Sequence, residues 1–138
     1  LLARERAAGL DRIDAYRAFD EQVKETKRRL LEFLIGAKRA GKRVAGYGAP
    51  AKGNTLLNYC GIRTDFIDYT VDSNPHKQGR FLPGTRIPIY APSRIAEDKP
   101  DYVVILPWNI QDEIIGKMSG IAAWGGRFIV PIPVPKVL

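Results

Sequence analysis

The chain has 138 residues, 45% of them hydrophobic and 27% charged, which is typical of a single globular domain. No run approaches the roughly 18 apolar residues of a membrane span, and the single cysteine, Cys60, excludes an internal disulfide and a cysteine-based zinc site. A lone thiol suits a reducing compartment, so we expect a cytoplasmic protein. Because the chain starts at Leu1 and its only methionine is Met118, we also expect a piece of a longer protein.

The net charge of +7 is compatible with an anionic partner, such as nucleic acid, an anionic membrane or a phosphorylated small molecule. Most basic residues of the first half lie between positions 24 and 43, interleaved with Glu25 and Glu32. They have no adjoining aromatic platform for stacking bases. We therefore interpret the basic cluster as a solvated helix face, and expect neither nucleic acid nor a membrane as partner.

The first predicted element is a long helix from about residue 10 to residue 40, ended by Gly41. The apolar residues that recur at helical spacing are Ile13, Tyr16, Phe19, Val23, Leu30, Leu34 and Ala37. A helix of about 30 residues is too long to lie wholly against so small a domain, so we expect its first half to pack on a neighbouring domain or subunit. We assign residues 1–41 to this linker helix and residues 42–138 to the domain proper.

After the long helix, short apolar strands alternate with helices. We predict strands over residues 43–47, 65–72, 86–90, 101–106 and 127–131, and helices over residues 51–60, 92–97 and 109–118. This alternation is typical of parallel strands joined by right-handed crossovers. The predicted fold is an α/β, Rossmann-like three-layer sandwich with a mostly parallel sheet, preceded by the long helix.

The first strand runs into a glycine-rich stretch, VAGYGAPAKGNTLL. A P-loop would need a lysine where Asn54 stands, so that interpretation is disfavoured. Gly46, Gly48 and Ala51 match the dinucleotide pattern G-x-G-x-x-G/A, in which free amides at the helix start hold a diphosphate. Lys52 would add a positive charge suited to the same anion. A tight turn that binds no ligand is the alternative.

Polar residues also follow the second and fourth strands, where open α/β sheets bind ligands. Asp72 would accept a ribose hydroxyl, whereas Asn74 is equally consistent with an Asx-turn. Trp108 would either stack on a base or cover the core, and Asn109 is interpreted first as the N-cap of the next helix. His76, the only histidine, is expected to be a binding or surface residue, because no acidic or nucleophilic partner is evident near it.

Taken together, four segments closely resemble the C-terminal domain of S-adenosylmethionine-dependent sugar C-methyltransferases, which methylate carbon 3 of nucleotide-linked 4-keto deoxysugars. The segments are VAGYGAPAKGNTLLNYCGI (44–62), IDYTVDSNPHKQGRFLPGTRIPI (67–89), DYVVILPWNIQDEI (101–114) and WGGRFIVPIPV (124–134). The resemblance covers nearly the whole chain, including the long helix. One departure is His76, where an aromatic such as tyrosine is as common.

The resemblance implies a three-part enzyme. A small N-terminal domain would bind zinc, a central domain would bind S-adenosylmethionine and carry the catalytic residues, and this domain would bind the nucleotide-sugar, which is most consistent with a TDP-sugar. In that family a base removes the proton next to the ketone, and the enolate attacks the sulfonium methyl group. The chain alone would therefore bind substrate without methylating it, and would itself hold no catalytic residue, metal or cofactor.

Site residues are carried over from the resemblance position by position. Those implied to hold the diphosphate are Gly48, Ala49, Lys52, Gly53 and Asn54. Those implied to surround the nucleoside and sugar are Asp72, Lys77, Gln78, Gly79, Pro107, Trp108 and Asn109. Gly46 and His76 complete the predicted substrate site.

Two other functions fit the same sequence. An NAD(P)-binding module of an oxidoreductase would use the glycine pattern and the acidic strand end, although no partner domain for hydride transfer is evident. A non-enzymatic interaction domain would use the long basic helix for assembly, with the glycine loop as a structural turn. Binding of a nucleotide diphosphate would count against the interaction domain.

Overall fold

The computed structural model describes the backbone of residues 2–138, and side chains from residue 12 onward. The helices are α1 (Leu2–Arg39), α2 (Ala51–Cys60), α3 (Ser93–Asp98) and α4 (Gln111–Lys117), with short 3-10 helices at Trp108–Ile110 and Ser119–Trp124. The strands are β1 (Val44–Tyr47), β2 (Thr70–Val71), β3 (Ile89–Tyr90), β4 (Tyr102–Ile105), β5 (Arg127–Val130) and β6 (Lys136–Val137).

These six strands form one sheet in the order β3-β2-β1-β4-β5-β6. The first five strands are parallel, and β6 runs antiparallel to β5 at the edge. Strand order reverses at β1, which pairs with β2 on one side and with β4 on the other. This arrangement confirms the predicted Rossmann-like fold. In open α/β sheets, a crevice where the strand order reverses is the usual place for a ligand, and here it lies beyond the carboxyl ends of β1 and β4.

Helices cover both faces of the sheet. On one face, Leu30 and Leu34 of α1 and Leu57 of α2 pack with strand residues such as Val44 and Val104. On the other face the helical residues are Ile95, Ile114 and Ile121, which pack with Tyr47, Val103 and Ile105. Alternate residues of β1 and β4 thus point into different layers, as the period-two geometry of a strand requires.

The long helix differs between its two halves. Its second half is part of the core, since Leu30, Leu34 and Ala37 are buried. Tyr16 and Phe19, in the first half, are 74% and 66% exposed. The predicted apolar face therefore contacts this domain only over its second half. Packing of the first half on a neighbouring domain or subunit stays a prediction.

Two predicted strands are much shorter in the structure. Strand β2 was predicted to start at residue 65, but the amides of Phe66 and Ile67 both bond to the carbonyl of Arg63, which makes a turn there. Strand β3 was predicted to start at residue 86, but Arg86 has a φ of 58°, which lies outside the extended region. Both predictions were wrong at the N-terminal end of the strand.

At the C-terminal end of the chain the structure adds two elements that were not predicted. The 3-10 helix at Ser119–Trp124 follows α4, and β6 pairs with β5 through Ile129 and Val130. The two residues of β6 are both exposed, so they lack the apolar pattern by which a buried strand is recognised. The other predicted boundaries agree within two residues, except at the start of the long helix, which begins at Leu2 rather than near residue 10.

Candidate functional site

The glycine loop turns sharply between β1 and α2. Gly48 has a φ of +94°, a backbone conformation that residues with a side chain rarely adopt. A Cβ atom on Gly48 would lie 2.6 Å from Cδ of Pro107, so the loop also approaches the end of β4 too closely for any side chain. A glycine is thus required at position 48 both by the backbone conformation and by the contact with Pro107.

Close packing explains two further glycines of the predicted site. A Cβ on Gly53 would lie 2.8 Å from Cβ of Leu106, because α2 crosses directly over the end of β4. A Cβ on Gly46 would lie 2.9 Å from the hydroxyl oxygen of Thr70, which donates a buried hydrogen bond to the carbonyl of Gly48. Ala51, the third position of the dinucleotide pattern, is exposed, so the close contact between helix and strand occurs at Gly53 instead.

Asp72 connects the glycine loop to the exit of β2. Its Oδ2 accepts a hydrogen bond of 2.9 Å from the amide of Ala49, and its Oδ1 accepts one of 2.8 Å from the amide of Asn74. Lys77 donates from Nζ to the carbonyl of Ala49, and Gln78 donates to the carbonyl of Asp72. The structure therefore brings four predicted site residues together, as a network that braces the loop.

Three more predicted site residues form a second cluster. Lys52 donates from Nζ to Oδ1 of Asn109, and the same nitrogen lies 4.9 Å from the centroid of the Trp108 ring. The prediction that Asn109 caps the next helix was wrong. Asn109 lies inside the 3-10 helix, its side-chain oxygen contacts Lys52, and α4 begins two residues later without a side-chain cap.

Asn54 carries a buried acceptor. Its Oδ1 has no hydrogen-bond partner among the residues that the structure describes. Phosphate oxygens are acceptors, so contact between Asn54 and a diphosphate would have to use Nδ2 rather than this oxygen.

A crevice of about 200 Å³ opens at the carboxyl ends of β1, β2 and β4. Five predicted site residues line it, namely Gly48, Ala49, Asp72, Lys77 and Pro107. Its remaining wall includes Ile110, Glu113 and Lys117, which the sequence analysis did not single out. Glu113 and Lys117 are four residues apart and so share one face of α4, but this spacing alone does not tell that the face lines the crevice.

Other predicted residues lie outside the crevice wall. His76 is exposed, and its amide donates to Oδ1 of Asn74, which forms the Asx-turn weighed in the sequence analysis. The amide of Gly79 donates to the carbonyl of Ile89 and so ties the loop to β3. These residues stay predicted ligand contacts without a structural test.

A larger groove of about 480 Å³ lies between α1, α2 and the segment of residues 132–134. Its apolar lining includes Phe19, Leu56 and Tyr59. The glycine loop does not contribute to it, and neither do the residues that follow β1, β2 and β4. We therefore place the candidate site in the smaller crevice, where backbone amides and charged side chains converge.

The described part of the chain offers no cluster of three or more histidine, cysteine, aspartate or glutamate side chains suited to a metal ion. Within the same described residues, no helix combines the length and apolar character needed to cross a bilayer.

The family model of the C-methyltransferase C-terminal domain matches residues 1–133. The chain belongs to this family. It is 43% identical over all 138 residues to the C-methyltransferase NovU of Streptomyces niveus, and it spans about a third (33%) of that relative's length. Among solved structures it is similar to UDP-D-quinovosamine 4-dehydrogenase from Vibrio fischeri, with a TM-score of 0.50, 20% identity, and coverage of 70% of this chain and 93% of the other. That likeness shows the fold alone.

Proposed function

We propose that this chain is the nucleotide-sugar-binding domain of an S-adenosylmethionine-dependent sugar C-methyltransferase, and that its ligand is a TDP-linked 4-keto deoxysugar. The observation that carries the proposal is the match to the C-methyltransferase C-terminal domain over residues 1–133, which includes the glycine loop and the crevice. In this proposal the glycine loop binds the diphosphate of the substrate, and the neighbouring crevice accommodates one of its sugar rings.

The start of α2 supplies the diphosphate contacts in this proposal. Pro50 precedes the helix, and none of the described side chains caps it with a hydrogen bond. The first-turn amides of a helix lack intrahelical acceptors and carry the positive end of the helix dipole. A diphosphate can accept from these amides, and Lys52 in the same turn adds a full positive charge.

The binding domain contributes to methyl transfer by holding the substrate in position. S-adenosylmethionine would supply the methyl group as an electrophilic sulfonium, and we assign its binding, the catalytic base and any zinc to segments outside this chain. Residues of the glycine loop fix the nucleotide end of the substrate. When the nucleotide end is fixed, the sugar carbon is oriented toward S-adenosylmethionine. The methyl transfer then does not have to overcome the entropy cost of bringing sugar and donor together.

Titration calorimetry at low salt tests the proposal. Thymidine diphosphate, NADH and S-adenosylmethionine are each titrated into this 138-residue chain. We expect thymidine diphosphate to bind and the other two not to bind. Lys52→Ala should weaken the binding of thymidine diphosphate by roughly tenfold, since hydrogen bonds to charged groups are worth about 1.5–3 kcal/mol.

Lys42→Ala is the matched control. Lys42 is exposed and precedes β1, at the opposite end of the strand from the glycine loop, and its replacement removes the same charge. Equal weakening by both variants would indicate non-specific attraction to a basic protein. Binding of NADH without binding of thymidine diphosphate would replace the proposal with an oxidoreductase module. Binding of none of the three would contradict the proposal for this chain.

A further inference from the structure

Two carboxylates of the described chain line the crevice, Asp72 and Glu113. They differ in what already contacts them. Both oxygens of Asp72 accept hydrogen bonds from backbone amides, at 2.9 Å from Ala49 and at 2.8 Å from Asn74. Charge-assisted hydrogen bonds of this kind are strong, and breaking them would release the glycine loop. Asp72 is therefore a positioning residue for the loop.

Glu113 is held less firmly than Asp72. It stands on α4, and its Oε1 lies 3.3 Å from Nζ of Lys117 in an ion pair whose side chains are 59% and 60% exposed. An ion pair as exposed as this holds its members weakly. The Glu113 carboxylate can therefore accept a hydrogen bond from a ligand without breaking a structural contact.

Resting on the proposed function, we propose that Glu113 is the residue that accepts a sugar hydroxyl of the bound ligand, and that Asp72 is a positioning residue for the loop. The crevice volume of about 200 Å³ is below the roughly 300 Å³ of most small-molecule sites. It therefore fits one ring of a nucleotide-sugar rather than the whole ligand.

The position of the ring follows from the crevice walls. Gly48 and Ala49 form one wall, next to the amides proposed for the diphosphate, and Glu113 stands on the wall formed by α4. A ring attached to that diphosphate enters the crevice and presents its hydroxyls to Glu113. The hydroxyl donor belongs either to the deoxyribose or to the hexose, because both are linked to the same diphosphate.

Calorimetric titration of this chain with thymidine diphosphate and with TDP-glucose distinguishes the two sources. The test variant is Glu113→Gln, and the matched control is Asp112→Asn, which removes the same charge from the neighbouring exposed position of α4 outside the crevice wall. Loss of one acidic side chain alone strengthens binding of an anion, so the two variants share that effect. Urea unfolding confirms that both variants fold.

We expect Glu113→Gln to bind TDP-glucose about tenfold more weakly than Asp112→Asn does. This difference corresponds to the loss of one hydrogen bond to a charged acceptor. If thymidine diphosphate is unaffected, the hydroxyl belongs to the hexose. If both ligands weaken, it belongs to the deoxyribose. Unchanged binding of both ligands would overturn the role of Glu113 and leave the proposed function intact. Absence of binding to the unsubstituted chain would overturn the proposed function, and the role of Glu113 with it.

Discussion

Gly48 lies at the point where the glycine loop is closest to β4. Its φ of +94° costs other residues about 1–3 kcal/mol, and a Cβ would lie only 2.6 Å from Pro107. We expect Gly48→Ala to lower the free energy of unfolding by at least that amount and to abolish binding of thymidine diphosphate. Urea unfolding and calorimetry measure the two effects.

Gly36 supplies the control for that substitution. It lies in α1 with open space around its Cβ position, so alanine there should raise the free energy of unfolding by up to about 1 kcal/mol through helix propensity. Equal effects at positions 36 and 48 would contradict the account of the loop.

Tyr69 titrates outside its ordinary range. It is 4% exposed, and its hydroxyl donates to Oδ2 of Asp98 at 2.9 Å. Burial raises the pKa of Tyr69 to about 12, against the opposing effect of Arg43 and Arg94. Since the pKa in the folded state lies above the reference value of 10.0, the neutral hydroxyl stabilises the fold below pH 10, and this stability is lost as the pH rises through 12.

Replacement of Tyr69 by phenylalanine should make this pH dependence visible. At pH 8 we expect Tyr69→Phe to be less stable than the unsubstituted chain by about 1 kcal/mol, the value of one hydrogen bond. Between pH 10 and pH 12 the unsubstituted chain should lose about 2–3 kcal/mol relative to the variant. Urea unfolding across this pH range measures the difference, and a constant difference would contradict the assigned cause.

The site could be predicted from sequence only in part. A glycine that opens a turn, such as Gly48, is visible from its local pattern. The partners of Asp72 and Asn109 are not, because the hydrogen bond to Ala49 spans 23 residues and the one to Lys52 spans 57. Glu113 was missed for the same reason, since its place in the crevice depends on how α4 packs over the strand ends.

At the scale of elements, α1 combines two different environments in one helix. Its apolar spacing is continuous, yet Leu34 is fully buried while Phe19 is 66% exposed. Sequence periodicity identifies the apolar face of a helix, but it does not tell how much of that face the same domain covers.

We expect the two halves to respond differently to truncation of a side chain. Leu34→Ala should lower the free energy of unfolding by about 2–5 kcal/mol, because it opens a cavity in the core. Phe19→Ala should change it by no more than about 0.5 kcal/mol, as is usual for surface positions. Urea unfolding of both variants measures this, and a loss of several kcal/mol for Phe19→Ala would show that the first half of α1 is packed on this domain.

Short strands were the least predictable elements. The apolar run before Asp72 contains Ile67 and Tyr69, both buried, and it was therefore predicted as a long strand. In the structure, a turn based on Arg63 occupies its first residues. Burial alone does not separate a strand from a turn that packs its side chains into the same core.

At the scale of the whole molecule, the alternation of strands and helices was enough to predict the architecture. Right-handed crossovers leave few ways to arrange parallel strands, and the strand order confirms the Rossmann-like prediction. The antiparallel β6 was outside the prediction, because a two-residue exposed edge strand carries no periodic signal. The same topology puts the glycine loop, Asp72 and Pro107 at one edge of the sheet, where the ligand is proposed to bind.

Amide chemical-shift mapping tests the central claim most directly. Thymidine diphosphate is titrated into the ¹⁵N-labelled chain while the ¹H–¹⁵N correlation spectrum is recorded. The account predicts saturable shifts that are largest for the amides of residues 48, 49, 51–54 and 108–113, around the glycine loop and the start of α4. Absence of shifts, or shifts confined to the groove lined by Phe19, Leu56 and Tyr59, would contradict it.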